Sequence, residues 1–392
     1  MYLSYSNKSY IPPIHVPGSK SITNRLLVLK QLYFQHLVIG NASKSTDSEA
    51  LSTLLLDMDK GITDFYVEDG GTTFRFLLST LAIKNIDSTI SCGKTLLSRP
   101  HDGLITALND IGFNISKTNT GFLIKSVDLN SLLTHWHVDI STSSQYATAL
   151  LLIAPLVGKP IQLSLTGKAV SKGYLKLTAA LMQDLGIDVD FATDDVLNIQ
   201  PKKPSEESML VTVESDWSAI SYFVLLSKIT GQTLTIHNVN ANSIQPDKDT
   251  LEFGKAIGLN HTFNDDSLVL QPIQNFSQPA KLKRDYTNCP DLAPTEIVGC
   301  FALGIELIPS GNAHLKYKES NRAEVLSLEL LKFKNQLPSF KTHQDHRIAM
   351  SLTALSVIKP IELDNIEVVS KSFPDFWQEV SKLGIHLKLN ND

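Results

Sequence analysis

The 392 residues, 42% hydrophobic and 19% charged, have the composition of a globular chain long enough for two or three domains, each with a core, and not that of a disordered or fibrous one. Lys and Arg number 35 against 40 Asp and Glu, a formal net charge of −5, so the chain as a whole repels polyanions and nucleic acid is excluded as the expected partner. The longest near-apolar run, 149–157, contains Pro155 and falls well short of the roughly 20 residues that cross a bilayer; with no apolar segment behind Lys8 to serve as a secretion signal, a cytoplasmic protein without a membrane partner is expected.

Taken in chain order, six short polar clusters each run into an aliphatic, helix-like segment. Pro17-Gly18-Ser19-Lys20-Ser21 precedes Leu26–Leu29, Asp69-Gly70-Gly71-Thr72-Thr73 precedes Phe76–Leu78, and Ser141-Thr142-Ser143-Ser144-Gln145 precedes Ala149–Leu152. Glu214-Ser215-Asp216-Trp217-Ser218 precedes Tyr222–Leu225, Pro290-Asp291-Leu292-Ala293-Pro294-Thr295 precedes Ile297-Val298, and Gln344-Asp345-His346-Arg347 precedes Ile348–Met350. Each reads as a helix N-terminus whose small polar side chains cap free backbone N–H groups, where the partial positive charge of the helix end favours an anion. Between the clusters lie strand-like runs, Thr89–Cys92, Ile161–Leu165 and Thr233–Ile236, and a helical stretch from Leu175 to Leu185, which together indicate an α/β or α+β protein. A domain break is expected after the charged, Pro-containing segment 201–208, where a strand over Leu210–Val213 leads into the fourth cluster.

Cys92, Cys289 and Cys300 form neither a CxxC pair nor a disulfide scaffold and are expected to be reduced. Cys300 lies in an aliphatic helix and Cys92 at a strand end, both readings of inert thiols, whereas Cys289 draws notice because Asp291 follows two residues later. The first cluster is not a nucleotide P-loop, because Ser19 separates Gly18 from Lys20. What remains is a Gly-led turn with Lys20, Ser21 and Arg25, the last two four apart on one helix face and suited to a carboxylate or phosphate.

The string Pro17–Arg25 resembles the N-terminal signature of the 5-enolpyruvylshikimate-3-phosphate synthase (3-phosphoshikimate 1-carboxyvinyltransferase) family of enolpyruvyl transferases. The likeness continues in order through Asp69–Arg75, Arg99-Pro100, Ser143-Ser144-Gln145, Ser171–Tyr174, Pro290-Asp291, Lys318–Arg322, Asp345-His346-Arg347 and Lys371–Asp375. The resemblance implies two similar domains, each of three βαβαββ units with helices inside and sheets outside, an inside-out α/β barrel, and an active site in the cleft between them. One domain would comprise 1–17 plus 214–392 and the other 18–213. It implies transfer of the enolpyruvyl group of phosphoenolpyruvate to the 5-hydroxyl of 3-phosphoshikimate by addition and elimination, with no cofactor, no metal and a monomeric enzyme.

The roles implied follow motif by motif. Lys20, Gly71, Arg99, Gln145, Arg322, Arg347 and Lys371 would hold phosphoenolpyruvate, Arg322 and Arg347 gripping its carboxylate in the bidentate way that suits a planar anion. Lys20, Ser21, Arg25, Ser143, Ser144, Gln145, Ser171, Tyr174, Asp291 and Lys318 would hold 3-phosphoshikimate. Asp291 would accept the hydroxyl proton and Glu319 exchange one at the methylene carbon, with Lys20 a further donor; a helix-surface pairing of Glu319 with Arg322 is the bland alternative.

Asp69, Gly173, His314 and Asn321 depart from the family pattern. A related enzyme acting on UDP-N-acetylglucosamine uses a loop cysteine before its Arg-Pro pair, and Cys92 stands too far from Arg99 for that. A catalytically silent anion binder would dispense with Asp291 or Glu319, and both are present. His135-Trp136-His137 and His343-Gln344-Asp345-His346 lack a third metal ligand at a familiar spacing; His135 and His137 read as ordinary strand residues and His346 as a residue that orients a neighbour or the phosphate.

Overall fold

The computed structural model describes residues 1–168 and 170–388. The chain divides into two compact units, one of Met1–Ser19, Lys44–Thr46 and Glu214–Asp392, the other of Lys20–Ser43 and Asp47–Val213.

A first strand, β1 (Tyr2–Tyr5), belongs to the former unit, and the chain then builds the latter. Helix α1 (Lys20–Tyr33), strand β2 (Leu37–Gly40) and helix α2 (Thr46–Asp59) open it. Two βαβαββ repeats follow: β3 (Asp64–Val67), α3 (Gly71–Ile83), β4 (Ser88–Cys92), α4 (Lys94–Ser98) and α5 (Asp102–Ile111), β5 (Asn114–Lys117), β6 (Gly121–Lys125); then β7 (His135–Asp139), α6 (Gln145–Ile153), β8 (Ile161–Thr166), α7 (Lys172–Asp184), β9 (Val189–Thr193), β10 (Val196–Ile199). Their sheets have the same order, β3-β4-β6-β5 and β7-β8-β10-β9, parallel between the first two strands and antiparallel beyond. Strand β11 (Met209–Thr212) runs parallel to β2.

The remaining chain forms α8 (Trp217–Thr230), β12 (Leu234–Ile236), α9 (Thr250–Ala256), β13 (Leu259–Asn264) and β14 (Ser267–Pro272), in the antiparallel sheet β12-β14-β13. Next come β15 (Lys281–Asp285), α10 (Ala293–Leu303) and β16 (Glu306–Ser310), the two strands parallel. Then follow α11 (Arg322–Lys334), β17 (Ser339–Phe340), α12 (His346–Leu352), β18 (Ile361–Leu363), α13 (Phe376–Lys382) and β19 (Ile385–Lys388). The last sheet, β17-β18-β1-β19, repeats the order seen twice above, but β1 from the chain's start occupies the place of the final strand.

Burial shows which layer is inner. All of α3 but Thr72, all of α6 but Gln145 and all of α12 are buried, the signature of helices enclosed on every side. Strands instead alternate: Trp136 and Val138 of β7 are buried while His135, His137 and Asp139 are exposed, as in a sheet with one face to water. Helices therefore line the inside and sheets the outside, the inside-out α/β arrangement. Two separate cores result, one around Phe74, Leu150 and Leu163, the other around Phe223, Leu355 and Phe376. Among the described residues no helix is long and apolar enough to cross a membrane.

All six polar clusters lead into helices, α1, α3, α6, α8, α10 and α12. Side-chain capping is less general than expected. Asp216 accepts from the N–H groups of Ser218 and Ala219, and Asp345 from that of Arg347. At Gly70, Ser144 and Leu292 no side chain caps the helix, nor does Ser171 at the start of α7, where φ is 57°. The expected helix over Leu175–Leu185 starts earlier, at Lys172.

Candidate active site

Within the unit that contains Glu214–Asp392, three helix starts and one loop bring the predicted charges together. Arg322, the first residue of α11, is 1% exposed and spends its whole guanidinium on carboxylates: Nε to Asp345 Oδ2 at 2.9 Å, Nη1 to Asp291 Oδ1 at 2.9 Å, and Nη2 to Glu319 Oε2 at 2.7 Å. Asp291, in the turn entering α10, also meets Arg347 Nη2 at 2.8 Å and Lys318 Nζ at 3.4 Å. Lys371 Nζ stands 3.9 Å from Glu319 Oε1. All six residues expected here, Asp291, Lys318, Glu319, Arg322, Arg347 and Lys371, thus share one cluster, and Glu319 does pair with Arg322.

Electrostatics in this cluster favours bound anions. Burial pushes the Asp291 carboxyl up, yet Arg347, Lys318 and Arg322 outweigh it and hold the group well below the usual carboxylate range. Lys318 is lowered, first by burial, with Asp291 opposing and Arg322 adding to the fall. Burial disfavours the Arg322 cation, but Asp345, Glu319 and Asp291 more than restore it. His314, buried nearby, is brought down to about 4 by burial and by Lys318, so it is neutral at physiological pH.

The other unit carries a second set around the start of α3. Lys20, at the first position of α1, reaches Asp47 Oδ2 in the first turn of α2 at 3.1 Å, and Thr73 Oγ1 donates to the Asp47 carbonyl at 3.0 Å. A Cβ on Gly71 would lie 3.1 Å from Arg99 Nη1 and 3.3 Å from Arg75 Nη1, so the bare backbone there faces two guanidinium groups. Arg99 Nη1 donates to the Asp69 carbonyl at 3.3 Å. Arg75 donates to Gln145 Oε1 at 2.5 Å and to the Pro100 carbonyl at 3.2 Å, lying over the Tyr146 ring. Ser143 Oγ accepts from the Gln145 N–H at 3.3 Å. Cations beside the N-terminus of a 13-residue helix have the chemistry that suits an anion.

Arg25 is tied to its own unit. It is buried, and its partners are neutral oxygens: Thr178 Oγ1 at 2.7 Å, the Ser21 carbonyl at 2.6 Å and the Tyr174 carbonyl at 3.2 Å. Burial lowers it to about 10. It joins α1 to α7 and thereby places Ser21, Ser171 and Tyr174, since the Tyr174 N–H donates to the Ser171 carbonyl at 3.1 Å.

The thiols are all buried. Burial pushes Cys92 up to about 11 and Cys300 up to about 12, and raises Cys289 as well, with Asp247 and Asp249 adding to the rise. None is a nucleophile in this state. Among the described residues no group of three or more His, Cys, Asp or Glu side chains is placed to hold a metal ion.

Known proteins resemble this chain in sequence and in fold. The family model of EPSP synthase (3-phosphoshikimate 1-carboxyvinyltransferase) matches residues 62–380. The 3-phosphoshikimate 1-carboxyvinyltransferase of Bacteroides fragilis is 30% identical over 404 residues, covering 97% of each chain.

The chain belongs to the EPSP synthase family.

A Buchnera aphidicola relative of the same name is 27% identical, covering 94% of this chain and 96% of its own. An EPSP synthase structure from Acinetobacter baumannii superposes with a TM-score of 0.75 at 18% identity, covering 99% of this chain and all of that one. The enolpyruvyl transferase NikO of Streptomyces tendae gives 0.68 at 13% identity, over 99% and 98%. These likenesses establish the same fold.

Within the EPSP synthase frame three contributors have no role in the sequence reading, although two of them stand inside its motifs. Asp345 seats Arg322 and caps α12 at once. Arg75 stands inside the second motif and orients Gln145. Asp47 holds Lys20 from a stretch, Ser45-Thr46-Asp47-Ser48-Glu49 before Ala50-Leu51, that has the same polar-then-aliphatic form as the six clusters and was detectable on that ground.

Proposed function

We propose that this chain, a transferase of the shikimate pathway, moves the enolpyruvyl group of phosphoenolpyruvate onto the 5-hydroxyl of 3-phosphoshikimate, releasing phosphate. The observation that carries the reading is the grip of Arg322 and Arg347 on the Asp291 carboxylate, at 2.9 and 2.8 Å. Two guanidinium groups arranged around one planar carboxylate are suited to a second one, that of phosphoenolpyruvate.

In the addition step the 5-hydroxyl oxygen bonds to C2 of phosphoenolpyruvate, its proton passes to Asp291, and C3 gains a proton from Glu319, or from Lys20. In the elimination the C2–O bond to phosphate breaks, the leaving phosphate carries off the proton that Asp291 took up, and a C3 proton returns to the group that supplied one, Glu319 or Lys20. Asp291 is a weak base while three cations hold it. A substrate carboxylate that draws Arg322 and Arg347 toward itself loosens that hold and makes Asp291 more basic when the hydroxyl is present. Lys20, Gly71, Arg99, Gln145 and Lys371 serve the donor, Gly71 through its backbone N–H; Lys20, Ser21, Arg25, Ser143, Ser144, Gln145, Ser171, Tyr174 and Lys318 serve 3-phosphoshikimate, Arg25 chiefly by fixing Ser21 and Tyr174.

The protein is taken to act as a cytoplasmic monomer, without nucleic acid or membrane partners. Incubation of the folded protein with phosphoenolpyruvate and 3-phosphoshikimate should release phosphate, while UDP-N-acetylglucosamine as acceptor should not. Absence of release with 3-phosphoshikimate would end this reading.

A further inference from the structure

The turn that delivers Asp345 and Arg347 is built against its own backbone preferences. The Asp345 N–H donates to the Thr342 carbonyl at 3.0 Å, and both residues between have positive φ, 53° at His343 and 55° at Gln344. That is the hand of a type I′ turn, whose centre normally takes Asn-Gly or Asp-Gly because a Cβ is disfavoured there. Two consecutive side-chain-bearing residues in this region persist only where their surroundings over-determine them, and such places concentrate at functional sites.

Three anchors supply the determination. Glu329 on α11, its side chain 1% exposed, accepts from the Lys341 N–H at 3.1 Å and from His343 Nε2 at 2.8 Å, while Lys332 Nζ holds both its oxygens at 2.8 Å. A carboxylate only accepts, so the His343 proton sits on Nε2. Asp364 Oδ1 accepts from the N–H and Oγ1 of Thr342 at 2.8 and 2.9 Å, and Asn365 Nδ2 donates to Gln344 Oε1 at 3.1 Å. Helix α11 therefore grips the turn at two points about two helical turns apart: Glu329 at Lys341 and His343, and Arg322 at Asp345.

We propose that His343, acting through Glu329, is a positioning residue that seats Asp345 and so sets the spacing of the Arg322 and Arg347 guanidinium groups for a substrate carboxylate. This rests on the proposed function for the identity of that carboxylate. Loss of the His343 bond lets the turn relax toward commoner conformations, carrying Asp345 and the first residues of α12 with it.

The test is steady-state kinetics on His343→Ala with two companions. His343→Ala should raise the KM for phosphoenolpyruvate roughly tenfold, the order expected for a lost hydrogen bond to a charged group, and leave kcat and the KM for 3-phosphoshikimate within about twofold. His343→Gln, which keeps a donor able to reach Glu329, should recover most of the loss, and Gln344→Gly, which gives up the Asn365 bond but relieves the backbone and leaves Glu329 in place, should raise KM far less than His343→Ala. An unchanged KM in His343→Ala, or a fall in kcat alone, overturns the inference while the functional reading stands. Hydrogen exchange supplies a readout independent of turnover: faster exchange in His343→Ala confined to 341–349 is expected, and unchanged exchange overturns the clamp whatever the activity. A wild-type protein without phosphate release sinks the functional reading first, and the carboxylate-spacing role with it.

Discussion

Arg322 contacts three carboxylates at once, and Asp291 in turn contacts three cations, so neither side chain has a role separable from the other. Asp291→Asn keeps an oxygen for Arg322 and Arg347 but removes the charge that competes with substrate for them and the site that takes up the hydroxyl proton. Turnover should fall by about 10²–10⁴-fold, the usual span for a general acid–base group, with the KM for phosphoenolpyruvate no higher than before. Retention of turnover to within about tenfold would remove Asp291 from proton transfer. At this scale the sequence was informative about identity and silent about pairing. Asp291, Glu319, Arg322 and Arg347 are each named by their motifs, yet the ion pairs that bind Asp291 to Arg347 and Arg322 to Asp345 span 56 and 23 residues, distances over which no local pattern speaks. Arg25 illustrates the same limit: its spacing from Ser21 predicts a shared helix face, but not the contacts with Thr178 and Tyr174 on another helix.

Elements are held in place by a second buried ion network that no motif announces. Glu296 on α10, fully buried, receives both Nε and Nη2 of Arg284 on β15, at 2.7 and 2.8 Å, and the Tyr286 hydroxyl at 3.0 Å; Asp249 takes Nη2 as well, at 2.5 Å. Burial raises the Glu296 carboxyl, with Arg284 and Tyr286 pulling it back. The network ties the strand before the Asp291 turn to the helix after it. Removing one partner leaves a buried charge poorly compensated, so Glu296→Ala should cost about 3 kcal/mol in urea unfolding, at the low end for such losses because Asp249 remains. Arg284→Met with Glu296→Leu should regain most of that stability; a double variant as unstable as the single one would show that packing, not charge, is at stake. Helix starts were legible because the chemistry that begins a helix lies within four residues. Glu296 was not, since a glutamate in a helix ordinarily faces water and its partner lies across a strand.

For the whole molecule, the two units differ in how their chain is supplied. Residues 20–213 hold complete βαβαββ repeats and a core of their own. The other unit needs β1 between β18 and β19, where Tyr2 pairs with both Glu362 and Lys388. A fragment of 20–213 should therefore unfold cooperatively on its own, whereas 214–392 should fold only when a peptide of residues 1–19 is added. Circular dichroism with and without the peptide decides this, and autonomous folding of 214–392 would contradict it. The alternation of polar clusters made an α/β chain with repeated units readable from sequence; the resemblance implied only that residues 1–17 go with 214–392, and the sheet partners of β1 were not readable, because a four-residue strand carries no record of the strands it joins.

The position of β1 also imposes a schedule on synthesis. At roughly 5–20 residues per second, about 20–75 s pass between the emergence of Tyr5 and that of Ile385, its sheet partner. For most of that interval the strand that completes one unit waits without either sheet partner, while the other unit has all its strands once Thr212 has emerged and can close. A nascent chain of this protein is thus half folded and half in suspension until Ile385–Lys388 leave the ribosome, and whatever shields Tyr2–Tyr5 during that wait bears on how much of it reaches the native state.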